Sequence, residues 1–413
     1  MGLFKSSGMH GGQSDRDVIN LASFDVLGWL PDFSQTENIA IYGYDKKLRH
    51  DVILQSIANC YGYEGIVVLH NNDELVRDIK NFSGKYPDVY EECRGVGQCH
   101  VGVTNPVYEP LFGMSAERIV EAIYPEIDRN SPSYMQQHTC GEVLRNYLRI
   151  LELQGVPYDL DELIYLVNLD INELRSAELR DIDEGEARRI TGALQRGNST
   201  YLQVRDDINA FANKLSGRIW KKKNWDEEST DVSIITSVRE KSILTIKIPN
   251  APAVLNYISS EIDELVDNNE NFLLVIDSIA VAGTLLEEKL LSSNMPFSTL
   301  ISSDRVHAVF NNDESKMSQS LGLMDGIVIM NCRNATDAKV YSEAAGQYMR
   351  EFVSSNRGSA RQDFSIFASS FNEGKTRSEQ LFDRITPVEF TKLGSGAVIM
   401  DQRNSTITIA REV

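Results

Sequence analysis

Short β-rich runs bounded by turn residues, the later ones each followed by a stretch of helical periodicity, constrain this chain more than any other feature. The runs are Gly65–Leu69, Ser242–Ile248, Phe272–Asp277, Phe297–Ile301 and Gly326–Met330, and the later ones lead into helical patterns over Ala253–Val266, Thr284–Leu291 and Ala335–Phe352. A strand that must return to the same sheet through a helix makes a parallel, right-handed crossover. Runs such as Leu273-Leu274-Val275-Ile276 and Ile327-Val328-Ile329-Met330 offer no polar face, so the sheet is expected to be covered on both sides. The fold class that follows is α/β, a doubly wound and mainly parallel sheet. Toward the C-terminus, Asp363–Ala368 reads as a strand, Thr386–Leu393 as a short helix, and Ala397–Asp401 with Ser405–Ala410 as a hairpin.

Between Ser115 and Ser216 the strand signal disappears. Helical stripes replace it, among them Ile119 and Ile123, then Leu144, Tyr147, Leu148 and Leu151, and later Leu202, Ile208, Phe211 and Leu215. The expected organisation is an N-terminal tail over residues 1–20, an α/β domain assembled from 21–110 and 217–413, and an all-helical domain inserted at 111–216. With 413 residues the chain has ample material for more than one core. Five cysteines without regular spacing suit a reducing compartment. No stretch reaches the roughly 18 apolar residues of a spanning helix. A cytoplasmic location is expected, at most peripheral to a membrane through partners.

Ile39–Ala58 begins as a phosphate-binding unit does. An apolar strand runs into Gly43, and a helix follows. The pattern G-x-x-x-x-G-K-[ST] would place Gly, Lys and a hydroxyl residue at 48, 49 and 50, where this chain has Leu48, Arg49 and His50. Leucine resists the positive φ that glycine gives such a loop. Arginine is planar and bulkier than the lysine that threads it, and His50 offers no hydroxyl to magnesium. Asp277, ending the run Phe272–Asp277, stands where a magnesium-ordering carboxylate would, and its other reading is a cap or turn residue. Ser278 follows it where a general base is wanted, and serine has no useful basicity at neutral pH. The candidate cofactor-binding residues are therefore Gly43, Lys46, Lys47, Arg49, His50 and Asp277, as a degenerate nucleotide site. No catalytic residue and no resident cofactor are expected. Lys46, Lys47 and Arg49 retain some pull on an anion at a helix start, which keeps weak ATP and magnesium binding open.

Several stretches in order resemble the TraG/TraD-type coupling proteins of conjugation and type IV secretion. They are Thr104-Asn105-Pro106-Val107 with Ser115–Ile119, Ser242–Asn250 with Ala253–Val266, Phe272–Asp277, Gly326–Met330 with Thr336–Gly346, and Arg384–Phe390. The resemblance implies a RecA-like P-loop NTPase-type fold with an all-α domain inserted before the second metal-binding strand. It also implies a role in DNA or protein transfer beside secretion-apparatus proteins, a related ring-forming ATPase among them. Where that family keeps its chemistry, this chain departs from it. Besides positions 48–50 and 278, the family's arginine-bearing segment corresponds to Ser293–Phe297, which has no arginine, and its glutamine falls near Ser302-Ser303. The combination implies a pseudo-ATPase that acts by binding. A divergent active ATPase and a DNA-binding module that uses no nucleotide are the alternatives.

Net charge is −19 and the pI about 4.8, so most of the surface repels nucleic acid and favours protein partners. The best cationic stretch with aromatic flanks is Trp220-Lys221-Lys222-Lys223-Asn224-Trp225, which makes Lys221, Lys222 and Lys223 the nucleic-acid candidates against a plain solvated loop. Cys93, Cys99 and His100 with His138 and Cys140 carry metal-ligand chemistry. Their spacing fits no established zinc knuckle, and no metal is expected.

Overall fold

The computed structural model describes residues 16–20, 38–59, 65–85, 106–125, 128–196, 198–223, 230–248, 252–277, 297–309, 313–360 and 370–411. Nine strands build its central sheet. They are β1 (Arg16–Asn20), β2 (Asn38–Gly43), β3 (Gly65–His70), β6 (Ile243–Lys247), β7 (Phe272–Asp277), β8 (Ser298–Ser303), β9 (Gly326–Met330), β12 (Ala397–Asp401) and β13 (Thr406–Arg411). Their order across the sheet is β1-β13-β12-β9-β2-β8-β7-β3-β6. From β9 through β6 all neighbours are parallel, as the strand–helix rhythm requires. The antiparallel exceptions are β12 against β9 and against β13, its partner in the C-terminal hairpin. The first strand corrects the tail assignment: residues 16–20 pair in parallel with β13 at the edge of the sheet.

Every residue of β3, β7, β8 and β9 is buried, and alternate side chains feed two separate cores. Ile39, Ile41, Ile66, Val68, Leu273, Val275, Leu300 and Val328 meet Val52, Ile53 and Ile57 of α1 (Lys46–Asn59) and Leu75 and Ile79 of α2 (Asp73–Lys85). Ala40, Tyr42, Val67, Leu69, Leu274, Ile276, Ile301 and Ile329 point into the other, larger core. This two-sided coverage is why the strands tolerate no polar alternation.

A small parallel pair, β4 (Pro106–Tyr108) with β5 (Thr230–Val232), brackets the helical segment. Between them lie α3 (Ala116–Ile123), α4 (Tyr134–Gln154), α5 (Leu160–Asn168), α6 (Ile171–Ala177), α7 (Glu184–Arg196) and α8 (Asn198–Leu215). Ser115 caps α3 by accepting from Arg118 N at 3.3 Å, and its hydroxyl donates to Glu264. The acidic stretch at Asp170 is a helix start, with Asp170 and Glu173 forming a reciprocal capping box. Leu144, Leu148, Leu163, Leu166, Ile190, Leu194, Val204 and Ile208 bury the inner faces. Leu202, placed in the apolar stripe by periodicity, is exposed.

After β5 come α9 (Ile234–Arg239) and α10 (Pro252–Asp267), then, past β8, α11 (Val306–Val309) and α12 (Glu314–Leu323), and after β9, α13 (Ala335–Ala345). The helix expected over Ala335–Phe352 stops at Ala345. Gly346 takes φ +78 as its C-cap, and the chain turns into β10 (Gln347–Ala360). That strand pairs antiparallel with β11 (Ser370–Asp383) in a sheet of two, ahead of α14 (Pro387–Thr391), which opens on a Thr386–Glu389 capping box. The expected helix at Thr284–Leu291 and strand at Asp363–Ala368 fall outside the described residues, as do Ser278, Cys93, Cys99 and His100.

Candidate functional site

In the sheet, β2 lies between β8 and β9, and β8 alone separates it from β7. Gly43 and Asp277 therefore end parallel strands on the same edge, at the carboxyl side where open α/β sheets bind ligands. The sheet is mainly parallel and covered on both faces, as the sequence leads one to expect.

Gly43 has φ +147, and a Cβ there would fall 1.7 Å from the Met330 carbonyl oxygen. Close approach of β9 is the local reason for glycine, since any side chain would displace that strand. Immediately after the turn, Asp45 caps α1. Its Oδ1 accepts from Leu48 N at 3.0 Å, and its carbonyl accepts from Arg49 N at 3.0 Å. The positive end of the helix, which an incoming phosphate would seek, is thus already met by a carboxylate of the chain itself.

Arg49 and His50 turn inward and are 8% and 3% exposed. The Arg49 guanidinium donates to the Gly43 carbonyl and, through Nε, to Ser302 Oγ at 3.2 Å. Ser302 in turn donates to Asp277 Oδ1 at 2.8 Å. His50 Nδ1 lies 2.7 Å from Asp78 Oδ2 on α2, and its Nε2 lies 3.7 Å from Asp277 Oδ2, an ion-pair distance. Burial lowers the His50 pKa, but Asp277 and Asp78 outweigh it and hold the imidazole above its ordinary value. Burial likewise raises Asp277, and there His50, Ser302 and Arg49 reverse the shift and keep the carboxylate ionised. The result is a continuous chain, Asp78–His50–Asp277–Ser302–Arg49–Gly43 carbonyl, in which each charge has a partner of the opposite sign or a hydrogen bond. Lys46 is partly exposed and paired with Glu74, while Lys47 is exposed. Of the six candidate residues, four are drawn into this network and the two lysines remain at its rim.

The cap at Asp45 is open to sequence reading, because an aspartate directly before a helix is a standard start signal. Asp78 is not, since only the packing of α2 on α1 brings it to His50.

The cationic stretch requires correction. Lys221 and Lys222 are exposed, but the Lys223 side chain is only 7% exposed. Its ammonium donates to Asp231 Oδ2 at 2.8 Å and to Asp159, and its backbone N–H donates to Asp161 Oδ2 at 2.9 Å. Burial works against the charge there, and the two aspartates outweigh it, so its pKa is raised. Trp220 is buried as well and offers no stacking face. Lys223 ties the start of α5 to β5, and the nucleic-acid candidates reduce to Lys221 and Lys222.

Near this tie stand two fully buried carboxylates. Glu109 Oε1 accepts from Leu111 N at 3.2 Å and Leu160 N at 2.9 Å, whereas Oε2 has no partner among the described residues. Glu261 accepts from Ile234 N at 3.2 Å and from the Tyr108 hydroxyl. Burial pushes each of them up to about 8, and Asp159 adds to the shift of Glu109. Both are therefore largely protonated at neutral pH. In the helical segment His138 stacks on Tyr134 with ring centroids 6.1 Å apart, and Cys140 is buried.

No protein-family profile and no curated protein matches the chain. Among solved structures it is similar to the bacterial conjugative coupling protein TrwBdeltaN70 in its unbound monoclinic form, at 13% identity and a TM-score of 0.39, covering 84% of each chain. It is also similar to the plasmid coupling protein TrwB in complex with ADP and Mg2+, at 11% identity and a TM-score of 0.44, covering 96% of this chain and 88% of that one. VirB4 of Thermoanaerobacter pseudethanolicus follows at 11% identity and a TM-score of 0.40, covering 74% and 80%.

Proposed function

We propose that this chain is a non-catalytic, coupling-protein-like component of a conjugation or type IV secretion system, and that it acts by binding protein partners. The observation that carries the reading is the occupied turn after β2. Asp45 caps the helix, Arg49 spans Gly43 and Ser302, and His50 bridges Asp78 and Asp277. A triphosphate would have to displace a carboxylate from the helix start and compete with a buried arginine for its own bonds. Removing a single well-placed catalytic group commonly costs about 10² to 10⁴ in rate. Here the lysine, the hydroxyl and the second glycine are all replaced. The surplus of carboxylates, at a net charge of −19, favours basic protein partners over nucleic acid. Among the described residues no helix is long and apolar enough to cross a membrane. The proposed place is the cytoplasm, with any membrane contact made through partners.

Calorimetric titration with magnesium and ATP, together with an ATPase assay with and without DNA, tests this. No binding heat and no turnover are expected. Retention of Asp277 on the sheet edge favours the second reading, a divergent ATPase completed by a neighbouring subunit. Turnover that disappears in Asp277→Ala would establish that reading and remove the first.

A further inference from the structure

Three helices of the segment between β4 and β5, together with α10, frame a cavity of about 470 Å³, a size suited to a small organic ligand. Its walls are the end of α3, the start of α4, one face of α8 and the start of α10. Gln203, Asp207, Ala210, Phe211 and Lys214 follow helical spacing, so a single face of α8 supplies all five. Ile123 and Tyr257 complete the apolar side, and Phe211 meets Tyr257 edge to face with ring centroids 5.6 Å apart. Tyr257 is buried and its hydroxyl is turned to Met114 Sδ at 3.2 Å, which leaves ring surface for a ligand.

Among the described residues, Asp207 in this wall is met only by neutral donors. Its Oδ2 accepts from the Tyr124 hydroxyl at 2.9 Å and its Oδ1 from Gln203 Nε2 at 2.7 Å. These bonds orient the carboxylate without cancelling its charge, and each oxygen keeps capacity for a further donor. Burial and the nearby Asp207 raise the pKa of both Tyr124 and Cys140, so the hydroxyl stays a donor and the thiol stays uncharged. Lys214 is the one cation of the lining. It is exposed and stands seven residues beyond Asp207 on α8, about 10 Å along the helix axis.

A carboxylate held by neutral donors in an aromatic-lined cavity favours a cation with an apolar body. The ammonium of a protonated amine would donate to Asp207 in a charge-assisted bond, and the aromatic faces attract it as well. A ring behind the ammonium would be removed from water against Ile123 and Phe211. A neutral molecule of the same shape gains the burial but leaves the carboxylate uncompensated. An anion meets that carboxylate directly, and a net charge of −19 repels it on approach.

We infer that this cavity binds a small organic cation, a protonated primary amine carrying an apolar ring, with Asp207 as its counter-ion. The inference goes beyond the functional reading above and does not depend on whether the Gly43 turn holds a nucleotide.

The test is calorimetry and ligand-observed NMR on the full chain with phenethylamine. Phenethyl alcohol and phenylacetate keep the ring and change the charge, and methylamine keeps the charge without the ring. Phenethylamine is expected to bind with a Kd of about 1 mM or lower, and the other three at least about tenfold more weakly. Asp207→Asn keeps the shape and should weaken amine binding about tenfold or more. Ala210→Phe, at an exposed helical position, fills the cavity and should abolish binding with an unchanged circular dichroism spectrum. Lys214→Gln removes a like charge about 10 Å away and should tighten binding about twofold. If Asp207→Asn loses its fold, the ligand series and Ala210→Phe decide the matter. Alcohol or phenylacetate binding as tight as that of the amine would overturn the inference. So would no amine binding up to about 10 mM, or amine binding that Ala210→Phe or a folded Asp207→Asn leaves unaltered.

Discussion

Replacing Lys223 by alanine should unfold the junction between β5 and α5 far more readily than its position in a lysine run suggests. The ammonium sits 2.8 Å from Asp231 Oδ2 and also donates to Asp159, with its side chain 7% exposed and that of Asp159 11% exposed. At an effective dielectric of about 20, a 2.8 Å ion pair is worth about 6 kcal/mol of Coulomb attraction. Withdrawing the ammonium and the carboxylate from water takes back several kcal/mol of that. The net worth of the pair is therefore modest, but truncation does not return the site to neutrality. Lys223→Ala leaves the Asp159 and Asp231 carboxylates without their ammonium, and breaking a buried pair in this way costs about 3–5 kcal/mol. Lys221→Ala, at an exposed position, should change stability by less than about 0.5 kcal/mol. Urea denaturation followed by far-ultraviolet circular dichroism compares the two directly. A double change, Lys223→Met with Asp159→Asn, should recover part of the loss, because the uncompensated charge goes with the cation. If Lys223→Ala proves as stable as Lys221→Ala, the buried-tie argument is wrong and the lysine belongs with its exposed neighbours.

Two further outcomes follow from the same geometry. Gly43→Ala should cost more than about 3 kcal/mol, because its Cβ would sit 1.7 Å from the Met330 carbonyl oxygen at the centre of the sheet; a thermal melt within a degree or two of the parent would refute the close approach. Glu109 and Glu261, raised from 4.5 to about 8, bind more protons folded than unfolded between those values. Stability from them is complete below about pH 4.5 and is lost as pH rises through 8. The raised His50 acts in the same direction, with its contribution lost as pH climbs through its folded pKa. Glu109→Gln should flatten this alkaline decline in urea midpoints measured across the range, and an unchanged slope would show that Glu109 does not carry the proton.

Much of the scaffold is legible in the order of residues alone. Apolar runs of five residues, such as Phe272–Ile276 and Gly326–Met330, bounded by turn residues, read as strands covered on both faces, and they are. The C-terminal hairpin is equally plain from its turn at Gln402-Arg403-Asn404. Periodicity hides β10, because Tyr348 and Phe352 continue the helical spacing of α13, and the arrest at Gly346 depends on one residue adopting positive φ. The first strand is hidden for another reason: a short edge strand with one neighbour needs little apolar character of its own.

Periodicity and residue type are local properties, so the succession of strands and helices and the loss of the phosphate-gripping residues at 48–50 are written directly in the chain. What stands in place of the lost residues emerges only when distant segments pack together. Arg49 reaches across to Ser302 on β8, His50 finds Asp78 on another helix, and Lys223 turns from solvent to Asp159 at the start of α5. The physical reason is that a charged side chain has no fixed address in the sequence. It goes where burial can be offset by an opposite charge, and those charges come from other elements, as Asp78 lies 28 residues from His50 and Asp159 lies 64 from Lys223.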